Sequence, residues 1–153
     1  MQRLFNNNLI NNTMINTLKF RALKDDMSNC NFVYGHLVYD SSGNPRITEV
    51  DKSGYGLIFH TCIENTETQF TFQKDYKGNE IYVGDIISKK WKCEVYQNIE
   101  GTFMVKFHTN PKGNRDMSLK RFLEQRTIAG AADEDNIIIG NIFENPELLE
   151  DVA

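Results

Sequence analysis

The sequence predicts a mainly β protein, built as a small SH3-like barrel or as curved antiparallel sheets, with one or two short helices. Three observations point there. Aromatic and β-branched residues recur in short runs with a period of two, the signature of half-buried strands. Asp, Asn, Ser, Gly and Pro clusters punctuate those runs at close intervals. Only two segments carry helical signals, one near residue 116 and one after Asn145.

Leu18, Phe20 and Ala22 alternate with Lys19 and Arg21, which reads as a first strand. Asp25-Asp26 and Ser28-Asn29 supply a turn, and Phe32 to Tyr39 is an aromatic strand interrupted by Gly35. Asp40 to Pro45 turns the chain back into Arg46 to Val50 as a hairpin. Tyr55 to Thr61 and Thr68 to Phe72 follow as strands. Asp75 to Asn79 is a tight turn in which Gly78 is free to take positive φ. Gly84-Asp85 makes a second turn, and Ile86 opens another strand. Glu94 to Gln97 and Thr102 to Phe107 form the next pair, joined at Asn98 to Gly101. Asn110 to Asn114 is a loop by composition. Asp116 to Gln125 fits a helix with Leu119, Phe122 and Leu123 on one face, and fits an alternating strand as well. Thr127 to Asp135 reads as a mobile connection and Asn136 to Phe143 as a buried strand. Asn145-Pro146-Glu147 has the chemistry of a helix start: an N-cap, a proline at the first position and an acid at the positive end of the dipole.

Length and composition set the outer bounds. The 153 residues suit one domain or two small ones, and 40% hydrophobic content with 10 Phe, 6 Tyr and 1 Trp is enough for a packed interior. The expected organisation is an Asn-rich leader at 1–13, a β region at 14–73 and a small-barrel region at 74–153, the last two joined as one compact unit. No run approaches the 18 or so apolar residues of a membrane span, and residues 1–13 lack the continuous apolar stretch of a secretory signal. Cys30, Cys62 and Cys93 are odd in number and widely spaced, with no C-x-x-C, so reduced thiols in a cytoplasm are expected. No cofactor or metal is called for.

Charge is unevenly placed. Residues 1–126 hold all 17 basic side chains and 14 acids, whereas residues 127–153 hold 7 acids and no Lys or Arg. Residues 86–126 carry 9 basic against 4 acidic side chains. An acidic end beside a basic middle suggests electrostatic docking, within the chain or between copies, set against the plainer reading of a solvated tail.

Three segments carry a family resemblance: Lys19-Phe20-Arg21-Ala22, then Asp75 to Ile87 (DYKGNEIYVGDII), then Ile137 to Glu150 (IIIGNIFENPELLE). In this order they resemble the YopX proteins over residues 15–150. Leu23 stands where the family usually has Trp, and Thr71-Phe72-Gln73 departs from its usual T-G-L/F-K pattern. The resemblance implies a bacteriophage or prophage setting, a mainly β fold and self-association. It implies no activity.

Side chains with chemical promise are each matched by a plainer reading. Asp85 after Gly84 has the makings of a metal ligand or base with Glu80, yet an Asp in that position more often fixes its own turn. His60 and Cys62 share a strand face without further ligands, and His36 and His108 stand alone. Lys89, Lys90, Trp91 and Lys92, with Lys106, Arg115, Lys120 and Arg121, combine cations for phosphates with an indole for base stacking. Alternation also allows Trp91 to point into the core. No nucleotide-binding, hydrolase or metalloprotease motif occurs. The expected function is therefore a non-enzymatic, self-assembling protein that contacts its own copies through Phe143, Glu144, Glu147, Leu148 and Leu149. Nucleic acid is the alternative partner. No membrane or small-molecule partner is indicated.

Overall fold

Alternating apolar residues and frequent turn residues give a mainly β chain, 43% strand and 14% helix, with its strands paired antiparallel. The computed structural model describes residues 18–27, 31–109, 113 and 115–150. The 1–13 leader, the Ser28-Asn29 turn and most of the Asn110–Asn114 loop lie outside them. The chain divides into two compact units, residues 1–70 and 71–153.

In the first unit, β1 (Phe20–Leu23), β2 (Phe32–Tyr39), β3 (Pro45–Val50), β4 (Leu57–Thr61) and the start of β5 (Thr68–Lys74) form a sheet in the order β4-β3-β2-β1-β5. Ile47 pairs with Leu37 on one side and His60 on the other. These positions share one face, on which Ala22, Ile47 and Cys62 are buried with Phe20, Val33 and Leu37 around them. Gly35 lies against the Thr48 carbonyl so closely that an added Cβ would sit 2.1 Å from its oxygen. That is why this strand position carries glycine. Arg21 points to the other face, is buried there, lays its guanidinium over the Phe32 ring at 4.2 Å and donates to Thr68 Oγ1 at 3.3 Å. A bridge between Lys24 and Cys62 bends the sheet, drawing the end of β4 toward β1. The sheets are curved without closing into the barrel that the sequence also allowed.

The second unit contains the end of β5 and β6 (Glu80–Tyr82) beside it. It is built mainly on β7 (Asp85–Ile87), β8 (Cys93–Gln97), β9 (Phe103–Phe107), β10 (Met117–Ser118) and β11 (Ile138–Asn141), in the order β10-β9-β8-β7-β11. Helix α1 (Leu119–Ile128) starts three residues later than Asp116, because Met117 and Ser118 pair with β9. Ser118 caps it by accepting from Arg121 N–H. Leu119 and Phe122 then join Ile81, Ile87, Cys93, Val95 and Val105 in a single core. The segment expected to be a mobile connection is ordered: Gly130 turns at positive φ and a one-turn helix, α2 (Ala132–Asp135), follows.

The chain end also differs from expectation. Pro146–Leu149 is a single 3-10 turn, and Asn145 does not cap it. The Asn145 side chain instead accepts from Asn141 N–H at 3.3 Å. That backbone N–H, four residues earlier, takes the side-chain oxygen that the N-cap role would use.

Candidate functional site

The two long motif segments meet in the second unit. Ile87 pairs with Ile138, Ile86 with Gly140 and Asp85 with Asn141, with a register shift between Ile138 and Gly140. Backbone bonds extend the junction at both ends. Ile142 N–H donates to Gly84 O at 2.9 Å, Ser88 N–H to Ile137 O at 3.0 Å and Tyr76 N–H to Asn136 O at 2.6 Å.

The polar and glycine residues of these segments have local physical tasks. Asp75 is buried. Its Oδ1 accepts from the N–H groups of Lys77 and Asn79, at 2.9 and 2.8 Å, and its Oδ2 accepts from Asn79 Nδ2 at 3.0 Å and from Ile138 N–H at 3.2 Å. One carboxylate thus shapes its own turn and fastens the far motif to it. Asp85 is 1% exposed and accepts from Tyr82 N–H at 2.8 Å, so it closes the Tyr82-Val83-Gly84 turn. Gly84 sits at φ +87°, with Ile142 and Phe143 packed over the place a Cβ would occupy. Asn141 accepts from the N–H groups of Phe143 and Glu144 and donates to Glu144 Oε2 at 2.6 Å. Gly140 leaves room for Leu148 and Asn145: a Cβ there would lie 2.7 Å from each. Of the five residues expected to contact other copies, Phe143, Glu144 and Leu148 are thus engaged within their own unit. Leu149 is half-buried and Glu147 exposed.

The acidic end meets the basic middle at one described place. Asp135, buried, lies 3.8 Å from Arg126 Nη1 and accepts from Ser88 Oγ at 3.0 Å.

The basic set around Trp91 is dispersed. Trp91 is 6% exposed and stands edge-on to Phe107 at 6.0 Å, in the core with Phe122 behind it. It offers no platform for stacking a base, which corrects that part of the sequence reading. The Ser88–Lys92 turn explains the inversion: Ser88 and Lys92 take positive φ, which breaks the strand alternation and turns the indole inward. Lys89 and Lys90 remain exposed, and Lys90 Nζ sits 4.9 Å from the indole centroid. Lys106 lies on the outer sheet face opposite Glu94, in a shallow pocket with Tyr96 and Asp116. Lys120 and Arg121 ride on α1, which packs on the opposite, core-side face; Arg115 is exposed before β10 and Lys92 is half-buried. No single cationic stripe forms from these residues.

The remaining titratable groups are similarly occupied. His108 meets Glu94 at 3.0 Å and His60 meets Glu49 at 3.2 Å. The Cys62 thiol donates to the His60 backbone carbonyl, while His60 Nε2 meets Glu49. Burial raises the Cys62 thiol and pushes the Cys93 thiol up to about 12. Both are free thiols. Among the described residues, no three His, Cys, Asp or Glu side chains gather closely enough to hold a metal ion. None of the described helices is long and apolar enough to cross a membrane.

A comparison with curated proteins finds no match. The family model described as YopX protein matches residues 19–150, a span that contains the Arg21 strand and both halves of the Asp75–Asn141 junction. The chain belongs to the YopX protein family.

Proposed function

We propose that this YopX-family chain is a non-enzymatic interaction protein that works by assembling with its own copies. The observation that supports this is an uncovered apolar surface on the first unit. Val50 and Val38, with Leu57 (61% exposed) and Phe59 (60% exposed), share the sheet face opposite the buried Ala22–Ile47 cluster. Tyr34 adds its partly exposed ring to the same face. Soluble monomers rarely leave such a contiguous patch open unless it binds something. The carboxylates most suggestive of chemistry, Asp75 and Asp85, both accept from backbone N–H groups of their own turns, and Asp75 accepts from Ile138 N–H as well.

The setting that goes with the family is a phage or prophage, acting in the cytoplasm of a bacterial host. Sedimentation equilibrium at several loading concentrations tests the reading. Assembly predicts a mass that is a multiple of 17.7 kDa and rises with concentration. A constant mass of one chain rejects it.

A further inference from the structure

Resting on the self-assembly reading, we infer that the interface is the outer edge of β4, paired antiparallel with β4 of a second copy in one register. Among the described residues, β4 has a strand paired along its length only on the β3 side, its other side being met at the Thr61–Cys62 end by Lys24 and Asp25. Gly56 C=O accepts from Asp51 N–H at 2.9 Å, so Gly56, Ile58 and His60 direct their backbone groups toward β3. Alternation then sends those of Leu57, Phe59 and Thr61 outward. The Thr61 carbonyl agrees, since it accepts from Asp25 N–H on that outer side at 2.8 Å. Leu57 and Phe59 therefore present one N–H and one C=O each to a partner strand.

Two-fold pairing of these groups has one best solution. Centring the axis at Ile58 sets Leu57 opposite Phe59 of the second copy, and Phe59 opposite its Leu57. Both are hydrogen-bonded pairs, so all of the outward N–H and C=O groups of Leu57 and Phe59 find partners at once. A shift to centre on Phe59 sets Leu57 opposite Thr61, whose carbonyl Asp25 already holds, and a shift to Leu57 sets Phe59 opposite Tyr55, which lies outside β4. The same register gathers Leu57 and Phe59 of both copies into one apolar cluster on one face. On the other it stacks Ile58 (40% exposed) on its own symmetry mate.

Charge supports a second copy over a foreign strand. Tyr55 to Thr61 carries no Asp, Glu, Lys or Arg, so antiparallel self-pairing brings no like charges together. The edge also lacks the usual guards against such pairing, having neither proline nor lysine within the strand. The edges of the second unit's sheet are guarded. β10 is two residues long and runs straight into α1, and β11 is broken by its register shift.

The test uses the full chain. Phe59→Pro removes one outward donor without touching the β3 ladder, and Leu57→Lys places a charge in the proposed cluster. Both should reduce the sedimenting mass to one chain while circular dichroism stays that of wild type. As a positive test that does not depend on loss, Ile58→Cys should cross-link to itself on copper–phenanthroline oxidation, because a non-hydrogen-bonded pair holds its Cα atoms about 4.5 Å apart. Phe59→Cys, which faces Leu57 instead, should cross-link no more than wild type. An assembly that persists in folded Phe59→Pro and Leu57→Lys, or equal cross-linking at 58 and 59, overturns the β4 interface and leaves self-assembly standing. A wild-type monomer overturns both.

Discussion

Asp75 shows how much a single side chain can organise. It accepts from the N–H groups of two residues in its own turn and of one that follows 63 positions later. Asp75→Ala strands those buried donors, and unfolding in urea should show a loss of about 3 kcal/mol; Asp75→Asn, which keeps an acceptor oxygen, should lose less. At Gly84, φ +87° excludes any Cβ without strain, and Ile142 and Phe143 close the space as well. Gly84→Ala should lower stability by about 1–2 kcal/mol through the left-handed conformation alone. Cys93 makes a prediction about reactivity and pH. Its folded thiol is raised to about 12 from an ordinary value of 9.0. Burial therefore favours the neutral form, and its stability contribution is present below pH 9. It declines as pH rises from 9 toward 12, where the unfolded thiol ionises and the folded one does not. Native protein at pH 8 should resist alkylation at Cys93 and react only after denaturation, as read by mass spectrometry. Trp91, packed on Phe107, should emit at the blue wavelengths of a buried indole and shift red only on unfolding. An oligonucleotide titrated to about 10 μM, a concentration at which non-specific binding ordinarily registers, should leave that emission unchanged.

At the level of elements, strands were far more legible than helices. The alternation of Leu18, Phe20 and Ala22 with Lys19 and Arg21 states its own period, the aromatic and β-branched run of Phe32 to Tyr39 reads as strand by composition, and turn residues such as Asp40 to Pro45 mark where the chain reverses. Asp116 to Gln125 was ambiguous for a physical reason: it holds both structures, a strand at Met117–Ser118 and a helix from Leu119. Ser118 decides the boundary by ending one and capping the other. Thr127 to Asp135 misled because small and acidic residues resemble a linker. What anchors it is Asp135, held by Ser88 Oγ from 47 positions away in sequence and by the nearer Arg126. Asn145-Pro146 has the composition of a helix start, but Asn141 claims its side chain. The candidate basic site failed at the same level. Charge spacing along residues 86–126 is visible in the sequence, whereas the positive φ of Ser88 and Lys92 that buries Trp91 is not. Nor could spacing show that Lys106 and Lys120 lie on opposite faces of a sheet.

For the molecule as a whole, the two long family segments and the proposed contact surface occupy different units. Asp75 to Ile87 and Ile137 to Glu150 hold the second unit together through β7 and β11. The exposed apolar face and the Leu57–Phe59 edge of β4 belong to the first unit, in a stretch from Tyr55 to Thr61 that no motif marks. Variants at the junction should therefore lower stability, and variants at Leu57 or Phe59 should change mass while the fold persists. Amide hydrogen exchange, resolved by residue at low and high protein concentration, tests this division most directly. Self-assembly through β4 predicts that the Leu57 and Phe59 amides, which point away from β3, exchange freely when dilute and become protected as concentration rises, with the amides of Ile58 and His60 protected throughout. Leu57 and Phe59 amides that exchange equally fast at every concentration would contradict it.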